Sequence, residues 1–419
     1  MLARIRPIYL FLGGLCKAWA VILKIDDFTE FKTGQLVPID TSGGQNFAFV
    51  PGPILTTFRM SVGLWPLVAK ARDAVARLEQ IRGILPHPML LLRPLQQREA
   101  IRSSSIEGTH TLPEELLLFD ALQEGDDAIR IPRSTEKNER LEVWNLYEAL
   151  RRGHNWQCEG KPLDKSFIAY MHKVLMTGVR GKDKNPGRFR TVPVAVGRRP
   201  RKFIPAPHDQ IERLLDDLSL FMTTCSDEQM DPLVRAFIVH YQFEAIHPFE
   251  DGNGRVGRVL LSLCISRWLE FSLPWLYLSE YFERNRQEYT ERLYNISTNG
   301  EWDEWIEFCM QGAIEESKSA VLRCDHLRLI RDKYNSIYGQ LSSRIHKIVD
   351  LLFERPVLII SQVAEACGVS DESARQDLYK LVEAGVLKIL PKTRPKAFAC
   401  FEIMRVAYGD SSQMSELQS

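Results

Sequence analysis

From about Leu67 onward, apolar residues recur at three- and four-residue intervals through Ala69–Ile84, Pro94–Ser105 and Thr135–Arg152, a spacing that predicts amphipathic helices. The period returns at Asp209–Phe221 and Pro232–Glu244, continues past a glycine-rich run to Trp268, and reappears over Ser279–Ile296 and Trp302–Asp325. Two stretches break it. From Phe28 to Pro66 the chain is rich in Gly, Pro and Thr, including Thr41-Ser42-Gly43-Gly44 and Val50-Pro51-Gly52-Pro53, and predicts an extended arm wrapped on a surface. Between Asn185 and Pro207, Pro-Gly opens Arg188-Phe189-Arg190-Thr191-Val192-Pro193-Val194-Ala195-Val196, followed by Gly197 and a basic turn, which predicts a β-hairpin inside a helical domain.

After Tyr338 the pattern changes. Helical stretches at Arg344–Phe353, Ser361–Cys367 and Ser370–Ala384 precede Gly385, the run Val386-Leu387-Lys388-Ile389-Leu390, a basic turn and Ala397-Phe398-Ala399-Cys400-Phe401. Helix, helix, turn, helix and a two-stranded wing is the order of a winged helix-turn-helix, with Gly368 in the turn and Ser370 capping the third helix. The fold class expected is mainly α, with a hairpin in the helical part and a C-terminal winged helix.

Composition narrows the partners. The 419 residues are 45% hydrophobic, enough for more than one core. Lys plus Arg and Asp plus Glu number 54 each, so no whole-protein field recruits nucleic acid or membrane. The 8 cysteines include no CxxC pair, which argues for a reducing compartment and against structural zinc. Arg4 and Arg6 precede an apolar stretch, Ile8–Leu23, interrupted by Lys17. It is short for a spanning segment and reads as an extension or local amphipathic helix, with export or membrane association as the alternative. The expectation is a cytoplasmic protein without a membrane partner.

Chemistry concentrates in His247-Pro248-Phe249-Glu250-Asp251-Gly252-Asn253-Gly254-Arg255-Val256-Gly257-Arg258. A helix ends near Ala245, a loop of acid and glycines follows, and a helix is expected to start around Arg255 or Val256. Backbone N–H groups at that helix start, freed for close approach by Gly252 and Gly254, form an anion cradle. Arg255 and Arg258, three apart, can lie on one side of the first turn and reach phosphate oxygens. Asp251 is a hard oxygen ligand for a magnesium ion already held by phosphates. His247 titrates near neutrality and can take a proton from an attacking hydroxyl. Taken singly, each is an ordinary turn, ion-pair or core residue; the P-loop alternative lacks its Lys-Ser/Thr ending.

The run resembles the signature of the Fic family, HxFx[DE]GNGRxxR, and matches every fixed position. The resemblance implies a Fic helical bundle with a β-hairpin flap, and protein adenylylation: His247 deprotonates a Ser, Thr or Tyr hydroxyl of a target protein, which attacks the α-phosphate of ATP. It further implies that Asp251 holds Mg²⁺ and that Gly252, Asn253 and Gly254 cradle the α- and β-phosphates beside Glu250. Arg255 and Arg258 then steady the β- and γ-phosphates, while Pro248 and Phe249 pack the loop.

Arg102-Ser103-Ser104-Ser105-Ile106-Glu107-Gly108 resembles the family's inhibitory motif, [ST]xxxE[GN], with Ser103 and Glu107 in register. Glu107 is then expected to pair with Arg258 and occupy the guanidinium that ATP needs. Val194, Ala195, Val196 and Gly197 correspond to the flap that adds the target as an extra strand, with Pro193 departing from the usual polar residue. Asn285 and Tyr289 resemble the stretch beside the nucleoside, Tyr289 being equally readable as core.

The resemblance organises the chain as an extension (1–25), an associated arm and inhibitory helix (26–134), a catalytic core (135–313), a helical linker (314–339), a winged helix (340–405) and a tail (406–419). On the third winged-helix helix, Ser373, Arg375, Gln376 and Lys380 are expected to face outward, with Lys392, Arg394 and Lys396 on the wing. Asp371, Glu372 and Asp377 oppose DNA there, so a DNA partner and a protein-docking or dimerising role both stay open. Also open are self-adenylylation, a nucleotide-sensing DNA-binding regulator, and de-adenylylation or another phosphotransfer in which Glu107 orients water.

Overall fold

A computed structural model describes residues 28, 33–41, 44–81, 89–123, 135–179, 185–198, 201–224, 230–338 and 342–409. The Ile8–Leu23 stretch, Ser42-Gly43, the basic turn at Arg199-Pro200 and most of the expected tail lie outside them.

The elements run β1 (Gly34–Thr41), β2 (Gly44–Pro51), α1 (Trp65–Ile81), α2 (Met89–Ile106), α3 (Pro113–Gln123), α4 (Thr135–Cys158) and α5 (Lys165–Leu175). The hairpin β3 (Val196–Arg198) and β4 (Arg201–Phe203) precedes α6 (Ile211–Thr224), α7 (Pro232–Ile246), α8 (Asn253–Trp268), α9 (Ser279–Arg284), α10 (Arg286–Asn299) and α11 (Trp302–Tyr338). Then come α12 (Ser343–Glu354), β5 (Val357–Ile359), α13 (Ile360–Cys367), α14 (Asp371–Glu383), β6 (Lys388–Ile389), β7 (Ala397–Ala399) and α15 (Phe401–Tyr408).

The chain is mainly helical, and local chemistry sets many helix ends. Asp164 caps α5 through the N–H groups of Ser166 and Phe167, and Asp231 caps α7 with Pro232 beside it. Such caps are worth roughly 1 kcal/mol each. Gly300 and Gly368 end α10 and α13 in left-handed conformation, which a bare Cα adopts without strain. Helix α7 is buried on almost every face, so it runs through the core, packed against α8.

Several expectations shift. The arm over 28–66 forms the antiparallel pair β1–β2, whose Ala48 packs with Ile204 beyond β4, and Phe49 N–H donates to Ile204 O at 2.8 Å. It therefore buttresses the second hairpin. That hairpin pairs Val196 with Phe203, while residues 188–195 are irregular: Pro193 has no N–H to donate, and Arg190 spends its own N–H on Pro248 O. The Ser279–Ile296 helix divides at Asn285, and the helix from Trp302 runs on unbroken to Tyr338.

The C-terminal unit has three strands, ordered β5-β7-β6, rather than a two-stranded wing. The short β5 went unseen because three apolar residues between two helices carry no period. Phe401 opens a helix, α15, instead of ending a strand. This unit docks on α2: Tyr408 Oη donates to Gln97 at 2.7 Å, and Arg93 reaches Glu354 at 3.4 Å.

Candidate active site

Helix α7 ends at His247, which sits in left-handed conformation (φ 51) with its N–H bonded to Phe243 O. A non-glycine residue there is strained by roughly 1 kcal/mol, so the surroundings must hold it. They do. Arg190 donates from Nε to His247 O at 2.8 Å and from Nη2 to Ala206 O and Ile246 O at 2.5 and 3.4 Å, while Nη1 reaches Val192 O at 3.2 Å. One buried guanidinium thus ties the turn after α7 to the segment leading into β3.

The loop is built from inside. Phe249 is fully buried and stacks on His172 of α5, ring centroids 3.8 Å apart. Burial draws His172 down to about 4, so it is neutral at pH 7. Its Nδ1 accepts from Gly187 N–H at 2.9 Å, which leaves Nε2 protonated to donate to Asp251 O at 3.1 Å. Asn253 accepts from Phe249 N–H and donates to Phe249 O, both at 2.9 Å. Its side chain therefore braces the loop instead of facing a ligand.

Helix α8 starts at Asn253, earlier than the Arg255 or Val256 expected, because Gly252 takes φ 77 and turns the chain at once. No side chain caps this helix start. Its first N–H groups face the loop, where a phosphate would be welcome. Asp251 lies beside them with its carboxyl about half exposed (54%), accepting from Gly252 N–H at 2.6 Å.

The two arginines part company instead of reaching out together. Arg255 lies 3.5 Å from Glu142 of α4 and 3.9 Å from Asp251. Arg258 turns to the end of α2, donating from Nε to Ser103 Oγ and from Nη2 to Ser103 O and Glu107 Oε1, each at 2.8 Å. Glu107, just beyond α2, rests against Gly254, where a Cβ would overlap its Oε1. Partial burial pushes the Glu107 carboxyl up, but the charge and hydrogen bond of Arg258, with Arg255 and Arg286 behind, win and hold it below the usual carboxylate range.

His247 is drawn down to about 4, first by burial and then by Arg190, against the opposing pull of Glu107 and the Glu244 main-chain carbonyl. The imidazole is therefore neutral at pH 7.

Of the remaining expected residues, Glu250 is partly buried on the loop, and Val194 to Gly197 lead into and begin β3, half-buried or exposed. Asn285 separates α9 from α10 and lines an open cleft of about 450 Å³ with Arg284, Arg286 and Arg292. Tyr289 is buried beneath the site, with its hydroxyl 2.8 Å from His240 Nε2, which is the placement of a core residue. Sequence reasoning missed Arg190, His172, Glu142, His240 and Glu244. His240, Glu244 and His247 are spaced by four and three, one face of one helix, and that spacing was the available signal. Arg190, one of two arginines flanking Phe189, left no comparable trace.

In the winged helix Arg375, Gln376 and Lys380 face solvent, whereas Ser373 is half-buried. Asp377 is buried, paired with Arg344 at 2.8 Å and Lys380 at 3.2 Å, and so does not oppose a ligand on the outer face as expected. Lys388, Lys392, Arg394 and Lys396 are exposed around the wing. Among the described residues no helix is long and apolar enough to cross a membrane.

Comparison with known proteins agrees with this architecture. The Fic/DOC family matches residues 162–265, the Fic/DOC family N-terminal region matches 65–155, and a DeoR-like helix-turn-helix domain matches 344–390. The protein adenylyltransferase fic-1 of Caenorhabditis briggsae and that of Caenorhabditis elegans are each 41% identical over 81 residues, 19% of this chain and 15% of either relative. The chain thus matches less than a fifth of the length of these relatives. A crystal structure of a Fic family protein from Desulfovibrio desulfuricans G20 shares the fold at TM-score 0.52 and 21% identity, covering 82% of this chain and 97% of that one. With both Fic regions matched in tandem and the complete loop folded between α7 and α8, the chain carries a Fic domain together with its N-terminal region.

Proposed function

We propose that this protein is a nucleotidyltransferase that moves AMP from ATP to a Ser, Thr or Tyr hydroxyl of a target protein. The observation that carries the reading is the meeting of a neutral His247, held in a strained turn, with an uncapped helix start in one loop. In the step proposed, His247 Nε2 takes the hydroxyl proton and the oxygen forms a bond to the α-phosphorus. The bond from that phosphorus to the β-phosphate bridging oxygen breaks, and pyrophosphate leaves with the electron pair. The N–H groups of Asn253 and Gly254 receive phosphate charge already oriented, which is the larger part of such catalysis. Val196 and Gly197 offer a strand edge on which a target segment can lie beside His247. The adenosine lies toward the cleft at Asn285.

Magnesium fits this site through Asp251 alone. Among the described residues no three His, Cys, Asp or Glu side chains form a metal cluster, and a phosphate-borne Mg²⁺ needs only one or two carboxylates. The ion would neutralise triphosphate charge. Glu107, seated on Arg258 and against Gly254, acts in this reading as a brake on ATP.

The test is transfer of label from α-labelled ATP to protein by Glu107→Gly, with wild type and the Glu107→Gly/His247→Ala double variant alongside. Label on the single variant alone supports AMP transfer. Label from γ-labelled ATP, or none from either, sinks it.

The exposed cations Arg375, Lys380, Lys388, Lys392, Arg394 and Lys396, with the DeoR-like match, favour a second reading in which residues 340–405 bind DNA. Each phosphate contact steepens the fall of log affinity with log salt by about 0.9, so a flat salt dependence on duplex DNA would refute it.

A further inference from the structure

His240 and Glu244 on α7 and His247 in the turn that ends it follow one another at intervals of four and three, and only the first is committed elsewhere. Tyr289 Oη donates to His240 Nε2, leaving Nδ1–H for Gly257 O at 3.2 Å. Glu244 Oε1 and His247 Nδ1 are both buried and, among the described residues, without a hydrogen-bond partner of good geometry, the Glu244 main-chain carbonyl being near enough to the imidazole only to oppose its fall. Glu244 Oε2 stands 3.9 Å from that Nδ1. Burial raises the Glu244 carboxyl to about 7 against the pull of Arg258, so near neutrality it is part carboxylate, and a cation formed beside it favours that charged form.

The facing helix makes room for it. Gly257 of α8 lies against the carboxylate, and a Cβ at that position would overlap Glu244 Oε1. The charged and titratable neighbours are few: Arg258 on α8 attracts the carboxylate, Glu107 beyond α2 repels it, and Tyr289 on α10 lies close. Around His247 stand Arg190, Glu107 and Glu244 itself. Burial leaves His247 a weak base, so an imidazolium formed there needs a nearby anion to offset it.

We propose that Glu244 is the positioning residue for His247: its carboxylate closes by about 1 Å to accept Nδ1–H, leaving Nε2 bare toward the incoming hydroxyl and stabilising the imidazolium that forms. Gly257 is the space that permits the carboxylate to lie there. Glu244 takes no proton from substrate; it sets which nitrogen is the base. The inference rests on the adenylyl-transfer reading of His247.

The test is run in the Glu107→Gly background with Glu244→Gln, Gly257→Ala and both together. Glu244→Gln is expected to lower kcat for AMP transfer roughly 10- to 100-fold, with KM for ATP within about twofold. Gly257→Ala displaces the carboxylate and is expected to lower kcat in the same way, with little added by the second change. Nitrogen NMR on ring-labelled histidine reads the tautomer without activity. Wild-type His247 is expected protonated at Nδ1, with a lower titration midpoint in Glu244→Gln, which keeps an acceptor but no charge, and loss of the tautomer preference in Glu244→Leu, which keeps neither. An unchanged kcat, or an Nδ1 tautomer that survives Glu244→Leu on the main-chain carbonyl alone, overturns the proposal. If Glu107→Gly transfers no AMP, the functional reading fails by itself, and the tautomer measurement still decides the role of Glu244.

Discussion

Replacing Glu107 by Gly removes one carboxylate that is both an ion pair and an obstacle. Its 2.8 Å contact with Arg258 joins a guanidinium that is 2% exposed to a carboxyl that is 41% exposed. A charge-assisted hydrogen bond of this kind is worth roughly 1.5–3 kcal/mol. With one partner open to solvent, about 1–2 kcal/mol is the fair figure after screening. If that energy holds the closed arrangement, its loss raises the fraction competent to bind ATP by about 5- to 30-fold. The obstacle adds to this, because the carboxyl oxygen lies against Gly254, where the helix start would meet phosphate. Glu107→Gln keeps the bulk and drops the charge, so its rate should fall between wild type and Glu107→Gly. The assay is calorimetry of a non-hydrolysable ATP analogue, followed by labelled-ATP turnover on the same three proteins. An analogue affinity that is the same in all three, with equal turnover, would refute the brake and its magnitude together.

Three further outcomes are expected. Arg190→Lys keeps the charge but cannot span the carbonyls of Val192, Ala206, Ile246 and His247; denaturant melts should show a loss of about 2–4 kcal/mol, and no loss would mean the clamp is dispensable. Asp251→Asn should weaken Mg²⁺-dependent nucleotide binding about tenfold or more while leaving metal-free binding nearly unchanged, read by calorimetry with and without the ion. For His172, whose value falls from 6.5 unfolded to about 4 folded, the unfolded chain takes the proton first as pH drops. Stability is therefore full above about 6.5 and lost toward 4, by roughly 2 kcal/mol at pH 5. Glu99 and Glu244, raised chiefly by burial to about 7, work in the opposite direction. The check is accordingly the difference between wild type and His172→Gln: urea melts at pH 7 and pH 5 should diverge less in the variant.

Where the chain's own period or spacing carries information, it was readable in advance. The helices of the bundle follow from apolar residues at three and four, and Ser370 and Gly368 mark the ends of their helices as their chemistry requires. The loop from His247 to Arg258 is legible because acid, glycines, arginines and histidine fall within one short run, and Ser103 and Glu107 because they keep a fixed separation. What the order of residues could not decide is which distant groups meet them. Arg190 acquires its role only when residues 188–190 fold back under the turn after α7, and His172 only when α5 brings its ring onto Phe249. Tyr289 reads equally well as ligand or core until His240 is found against its hydroxyl. Arg255 and Arg258 look alike in sequence, yet Glu142 claims one and the end of α2 the other. Local pattern is a property of neighbours along the chain, whereas a buried charge is placed by partners from anywhere in it. The sequence therefore determined the helices and the loop from His247 to Arg258, and the tertiary structure decided which side chains hold that loop and which lie against its histidine.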